Sequence, residues 1–175
     1  MFEYYPKVVY ALDSNDYVVA TDITIRSKIN NYLETAGFFG PRRYQISNGE
    51  APEIVSYNLY GTPKYSYMLL LANNIQNLYD EWPRTEYSQL EYIEKKYGSL
   101  AFAKSNIKHY YTSEGHIIDQ RSWDQSADPN KYLKTFFDWE QDINFEKSKI
   151  RVVRADALQK IEVGIQELLN SAEST

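Results

Sequence analysis

The chain contains no cysteine and only two histidines, two methionines and seven glycines in 175 residues, and each scarcity removes a class of explanation. Without cysteine there is no disulfide framework and no thiolate metal site, which fits a reducing compartment or an assembly held by non-covalent contacts. The histidines, His109 and His116, fall on the two arms of an expected hairpin with Asp119 as a close acid. That donor set is too small for the ligand shells metals need, so both read as hairpin surface and no metal is expected. The glycines build no phosphate-cradling loop, and no nucleophile elbow or HExxH helix occurs. Acid pairs such as Glu50 with Glu53, or Asp138 with Glu140 and Asp142, read as solvated faces of an acidic protein rather than as an acid–base pair. The expectation is a protein that is not an enzyme, with no cofactor and no small-molecule substrate.

Long apolar runs are also missing. The longest, Tyr67 to Ala72, falls well short of the roughly 20 residues a spanning helix needs, so no membrane partner is expected. The opening Met1-Phe2-Glu3-Tyr4-Tyr5-Pro6 has no basic region followed by an apolar one and does not read as a secretory signal. Net charge is −5 with pI about 5.1 and no basic block, which argues against binding nucleic acid through its phosphates.

What the chain does have is hydrophobic content of 43%, enough for a core, and an aromatic content of 15% dominated by 17 tyrosines. Tyrosine combines a large contact area with a polar tip and few rotors, which suits protein interfaces and half-buried core positions alike. At this length one domain carrying an insertion is expected.

Periodicity and punctuation outline an α+β chain. Lys7–Leu12 and Tyr17–Ala20 are β-prone runs around a polar turn, followed by a helix with Ile25, Ile29, Tyr32, Leu33 and Ala36 on one face and Gly37 as its stop. Arg43–Ile46 reads as a strand ending in the turn Ser47-Asn48-Gly49. Pro52 suits a first helical turn and Gly61 a helix end, after which Thr62-Pro63 supplies a hydroxyl cap and a proline for a second helix. Thr85 caps a helix to Gly98 with Leu90, Ile93 and Tyr97 inward. Ile107–Thr112 and His116–Asp119 form a hairpin, 120–131 a surface loop, and Tyr132–Asp142 a helix or irregular aromatic anchor. Lys149–Arg154 reads as a half-buried strand. Asp156 then caps a final helix striped by Leu158, Ile161, Ile165, Leu168 and Leu169, with Ser171–Thr175 fraying.

Several of these segments, in order, resemble a known family. They are Thr21-Asp22-Ile23 with Arg26, Tyr44-Gln45-Ile46, Asn48-Gly49-Glu50-Ala51-Pro52-Glu53 and Leu59-Tyr60-Gly61-Thr62-Pro63. The Leu69–Asn74 run, Trp82-Pro83, Asp142–Lys147 and Ile150–Val153 continue the series. Together they are similar to the small baseplate wedge proteins of T-even-type contractile-tailed phages, which carry a LysM-like module. The resemblance implies a LysM-like strand-helix-helix-strand module at 43–78 plus 147–155, whose closing strand, Lys149–Arg154, pairs with the first. It further implies an N-terminal arm and helix at 1–42, an insertion with helix and β-hairpin at 79–146, and a C-terminal helix at 156–175. The implied function is structural: joining and clamping adjacent wedges around the tail tube during baseplate assembly. Implied partners are other baseplate wedge proteins and central tail or hub proteins, with six copies per baseplate. The implied location is the virion tail baseplate, and the host cytoplasm during assembly. Expected interface anchors are Tyr60, Tyr65, Tyr67 and Trp82 around the module and Trp123 and Trp139 in the insertion, with core packing the alternative role of each. The competing function is that of a LysM-type peptidoglycan-binding protein, since LysM modules elsewhere grip such glycans between their two helices.

Overall fold

The computed structural model describes residues 7–11, 16–21, 25–41 and 43–173; Leu12, most of the expected first turn, Asp22 and the last two residues lie outside them. The fold is α+β, as expected, and divides into two units. The first holds the described residues of Met1–Ile46, Glu50–Leu78 and Ile150–Thr175, and the second Ser47–Gly49 with Tyr79–Lys149.

In the first unit, β1 (Lys7–Ala11) and β2 (Tyr17–Thr21) pair as an antiparallel hairpin, with Val9 opposite Val19. Helix α1 (Ile25–Thr35) buries Ile25, Ile29 and Leu33 at helical spacing, while Ala36, expected on the same face, is exposed beyond its end. The strand expected at 43–46 is shorter, β3 (Tyr44–Gln45). Helix α2 (Pro52–Tyr60) starts on its proline and stops at Gly61, which sits at φ 73°, where a Cβ would be strained. Thr62 accepts the Lys64 N–H, capping a 3-10 turn over Pro63–Tyr65 that leads into α3 (Ser66–Ala72). A bond from the Ser56 hydroxyl to Thr62 O, 2.7 Å, ties the connection back onto α2.

The chain returns through β7 (Lys149–Ile150), which pairs with β3, so the order is strand, helix, helix, strand. The expected strand over 149–154 is divided among several partners. Beyond Ile150 it leaves β3, and Gly40 N–H donates to Val152 O while Arg154 N–H donates to Phe38 O, both at 2.9 Å. The final helix α9 begins at Leu158 after a 3-10 turn over Ala155–Ala157, and Asp156 makes no side-chain cap there. Its Leu158, Ile161, Ile165 and Leu169 join α1, α3, Phe38 and Val153 in one core. Residues 171–173, expected to fray, continue the helix.

Helices α1 and α9 meet closely at Gly164, where an added Cβ would lie 2.1 Å from the Tyr32 hydroxyl and 2.5 Å from its Cζ. The Tyr32 ring is held edge-on against Phe38 at 5.5 Å, so the whole ring would have to move. Gly164→Ala is expected to destabilise by about 1–2 kcal/mol in urea unfolding, despite alanine's better helix propensity. Tyr32→Leu in the same chain should recover most of that loss; no recovery would mean the clash lies elsewhere.

In the second unit α4 (Leu78–Glu81) opens a stretch expected to be irregular, its first residue belonging to the first unit. Helix α5 (Glu86–Tyr97) is capped by Thr85 and stopped by Gly98, and it buries Gln89 and Ile93 while Leu90 and Tyr97 are half-buried. Helix α6 (Leu100–Ser105), capped by Ser99, was not expected. Strands β4 (Ile107–Tyr111) and β5 (Ile117–Ile118) form the expected hairpin, and β4 also pairs with β6 (Tyr132–Thr135). That third strand and the short helix α7 (Gln120–Gln125), capped by Asp119, correct the readings of 120–131 as loop and of 132–142 as a helix or irregular aromatic anchor throughout. The helix proper, α8 (Phe136–Lys147), starts one residue after β6 ends because Thr135 and Asp138 form a capping box.

Candidate partner-binding surface

The motif residues of the first unit prove to be builders of the module. Asn73 ends α3 and Asn74 takes the left-handed conformation, φ 54°, that asparagine tolerates. Asn74 N–H donates to Leu71 O and Ile75 N–H to Leu70 O, the paired bonds of a Schellman ending. The Arg26 guanidinium from α1 donates to Leu70 O, in the last turn of α3, and to Ile75 O just beyond it. Asn73 donates from Nδ2 to Leu69 O (2.9 Å) and Arg151 O (2.8 Å) and accepts Arg151 N–H at 2.8 Å. Its amide therefore stands in for a neighbouring strand at the point where the returning chain has left β3.

Three expected anchors lie on this module. Tyr60, Tyr65 and Tyr67 are half-buried and pack against the core cluster. The Tyr60 hydroxyl donates to Val153 O at 3.1 Å, and burial pushes its pKa up to about 12. Its ring meets Tyr65 edge-on at 6.0 Å. Lys64, beside Tyr65, pairs with Glu162 at 2.6 Å. Burial also raises Tyr67 above the ordinary tyrosine range. These rings serve packing with one face and leave the other partly open. Sequence reasoning missed the exposed apolar pair on α2, Ile54 and Tyr57, the latter 62% exposed. Their i, i+3 spacing opposite the buried Pro52, Val55 and Ser56 was the available signal.

The three tryptophans sit in the second unit. Trp82 is 7% exposed, so its ring is taken up by the chain's own packing. Trp123 is half-buried, 5.4 Å from the Tyr110 ring, with the Lys131 ammonium 4.2 Å above it. Trp139 packs edge-on to His109 at 4.9 Å, under Lys108. The most open rings of this unit are others: Tyr79, 89% exposed, and Tyr87 on α5.

The two histidines do not converge. His109 packs edge-on to both Trp139 and Tyr111, while His116 lies 3.5 Å from Glu114 in solvent. Among the described residues no group of three or more His, Asp or Glu is placed to hold a metal ion. The acids expected on solvated faces divide by role. Asp138 caps α8, Asp142 pairs with Lys134, and Glu140 is buried, a correction to the reading of that run. Glu50, in the turn before α2, accepts from the Tyr44 hydroxyl at 3.2 Å and from Asn58 Nδ2 at 3.0 Å. What remains on the surface is apolar and aromatic contact area on both units.

Residues 1–165 of the 175 match the model of a protein family described as Base plate wedge protein 53, of phages. The chain belongs to that family and is a structural component of a phage tail baseplate, in association with other baseplate components. A search of curated proteins returns no match.

Proposed function

We propose that the chain joins and clamps adjacent wedges around the tail tube while the baseplate assembles in the host cytoplasm, once per wedge. It does so without catalysis, through contact with other wedge proteins and with central tail proteins. Apolar and aromatic side chains open to solvent on both units carry the reading: Ile54 and Tyr57 on one, Tyr79 and Tyr87 on the other. A chain that bridges neighbours needs more than one such surface, and aromatic side chains carry much of the energy of protein interfaces. The LysM-like character of the module is supported by its order of strand, two helices and strand, with β3 and β7 paired. Tyr65 and Tyr67 remain proposed anchors at its edge, joined by Tyr57, with Trp123 and Trp139 in the segment 79–146.

The test is capture of partners by the tagged chain from phage-infected cells, identified by mass spectrometry. Wedge and central tail proteins are expected. The double change Ile54→Ser with Tyr57→Ser should lower their recovery about 10-fold or more while leaving the melting temperature near that of the parent. Binding to purified peptidoglycan, with no baseplate protein recovered, would replace this function with wall binding.

A further inference from the structure

The second unit contains an open cavity of about 100 Å³ whose wall carries Arg84, Lys96 and Lys147 but a single carboxylate, Glu140. That carboxylate is already engaged, by Lys96 Nζ at 2.8 Å and the Tyr97 hydroxyl at 2.6 Å. The other two cations are less well served. The Arg84 side chain is 16% exposed and lies over the Tyr92 ring at 4.0 Å, and its carboxylate partner at 3.2 Å, Asp80, is 68% exposed. An exposed i, i+4 pair of this kind contributes only about 0.3–0.5 kcal/mol and exchanges readily. Lys147 donates to the backbone carbonyl of Asp80 and makes no salt bridge among the described residues. Burial, and then the charge of Arg84, hold its ammonium below the ordinary lysine range.

The site is also built. Asn144 accepts Arg84 N–H at 2.7 Å and donates to Arg84 O at 3.0 Å, fixing the residue that carries the guanidinium. Gln89, 1% exposed, lines the cavity and donates to Glu140 O at 2.8 Å, which fixes the backbone of the residue that holds Lys96.

We propose that this cavity receives a carboxylate, the side chain of an Asp or Glu on a neighbouring baseplate protein, held between Arg84 and Lys147 with Asp80 displaced. The source of the carboxylate rests on the proposed function, whereas the chemistry of the cavity does not.

The test is a titration of the full chain, following the Arg84 and Lys147 side-chain signals by NMR at constant ionic strength. The probes are sodium acetate, a capped peptide with one glutamate, inorganic phosphate and sodium chloride. Acetate and the peptide are expected to give saturable shifts and to raise the titration midpoint of Lys147. Lys147→Met, which keeps the aliphatic stem, should abolish the saturable component, and Asp80→Asn should tighten it about 2-fold. Shifts reproduced by sodium chloride, saturation by phosphate but not by either carboxylate, or binding unchanged in Lys147→Met would overturn the proposal. If Lys147→Met loses the peptide yet captures wedge proteins at the parent's level, the assignment of the cavity to a wedge contact fails and the baseplate role stands.

Discussion

Asn73→Ala is expected to destabilise the first unit by about 2–4 kcal/mol, far more than a half-exposed asparagine at a helix end would suggest. The side chain makes three hydrogen bonds, two of them to the backbone of Arg151, 78 residues away. A neutral hydrogen bond nets about 0.5–1.5 kcal/mol, and a donor left unsatisfied in a packed site costs about 1–3 kcal/mol. Alanine removes all three bonds and leaves the backbone N–H and O of half-buried Arg151 without the asparagine that pairs them. The neighbouring residue is the control. Asn74→Gly should change stability by about 0.5 kcal/mol or less, because its left-handed backbone suits glycine as well and the side-chain bond lost, from Asn30 Nδ2 at 3.0 Å, is exposed to water. Urea unfolding measures both, and amide exchange at Arg151 should speed in the alanine variant alone. Equal, small effects at the two positions would mean that the returning chain is held by its β3 and Phe38–Gly40 pairings without the asparagine.

The contrast between Asn73 and Asn74 marks where the sequence stops being legible. Elements with punctuation at both ends could be read directly: α2 between Pro52 and Gly61, α5 between Thr85 and Gly98, and the hairpin β4–β5 around Ser113-Glu114-Gly115. Local chemistry decides those, and local chemistry is visible. Strand β6 was not, because Tyr132–Thr135 runs without a break into Phe136 and Phe137, and only β4 beside it makes the segment a strand. Helices α6 and α7 are six residues each, too short for a periodic signal, although Ser99 and Asp119 were available as caps. Lys149–Arg154 was recognisable as extended, but its partners, β3, Asn73 and Phe38–Gly40, are set by tertiary placement. The candidate surface was legible as a surplus of tyrosine, not as particular rings. Tyr60, like Tyr65 and Tyr67, is half-buried and Trp82 buried, while Ile54, Tyr57, Tyr79 and Tyr87 are the more open side chains.

Glu140 is the case where composition misled most, and it supports a second large effect: Lys96→Met is expected to cost about 2–3 kcal/mol at neutral pH, more than Glu140→Met. The asymmetry follows from burial. The Glu140 side chain is 4% exposed and that of Lys96 42%. Removing the acid lets the lysine return to water and leaves only the Tyr97 hydroxyl to find a new acceptor. Removing the lysine leaves a carboxylate buried with that hydroxyl as its remaining side-chain donor, and stripping one partner from a buried pair costs about 3–5 kcal/mol, less here because Lys96 is partly solvated. The pH dependence has a definite sign. Burial pushes the Glu140 carboxyl up, but the hydrogen bonds from Lys96 and Tyr97 outweigh it and hold the group below its ordinary value of 4.5. A carboxyl lowered by folding stabilises the protein above its unfolded pKa, and that contribution is lost as pH falls through the folded value. In Lys96→Met burial is opposed only by the Tyr97 hydrogen bond and the charge of Lys108, so the carboxyl titrates higher and acid relieves the variant before it weakens the parent. Melting temperatures of the two proteins should therefore converge as pH drops from neutrality to below the carboxylate range. A gap that stays constant across that range would show that Lys96 acts through its ammonium over the Tyr92 and Tyr97 rings, which methionine also removes, and not through its pair with Glu140.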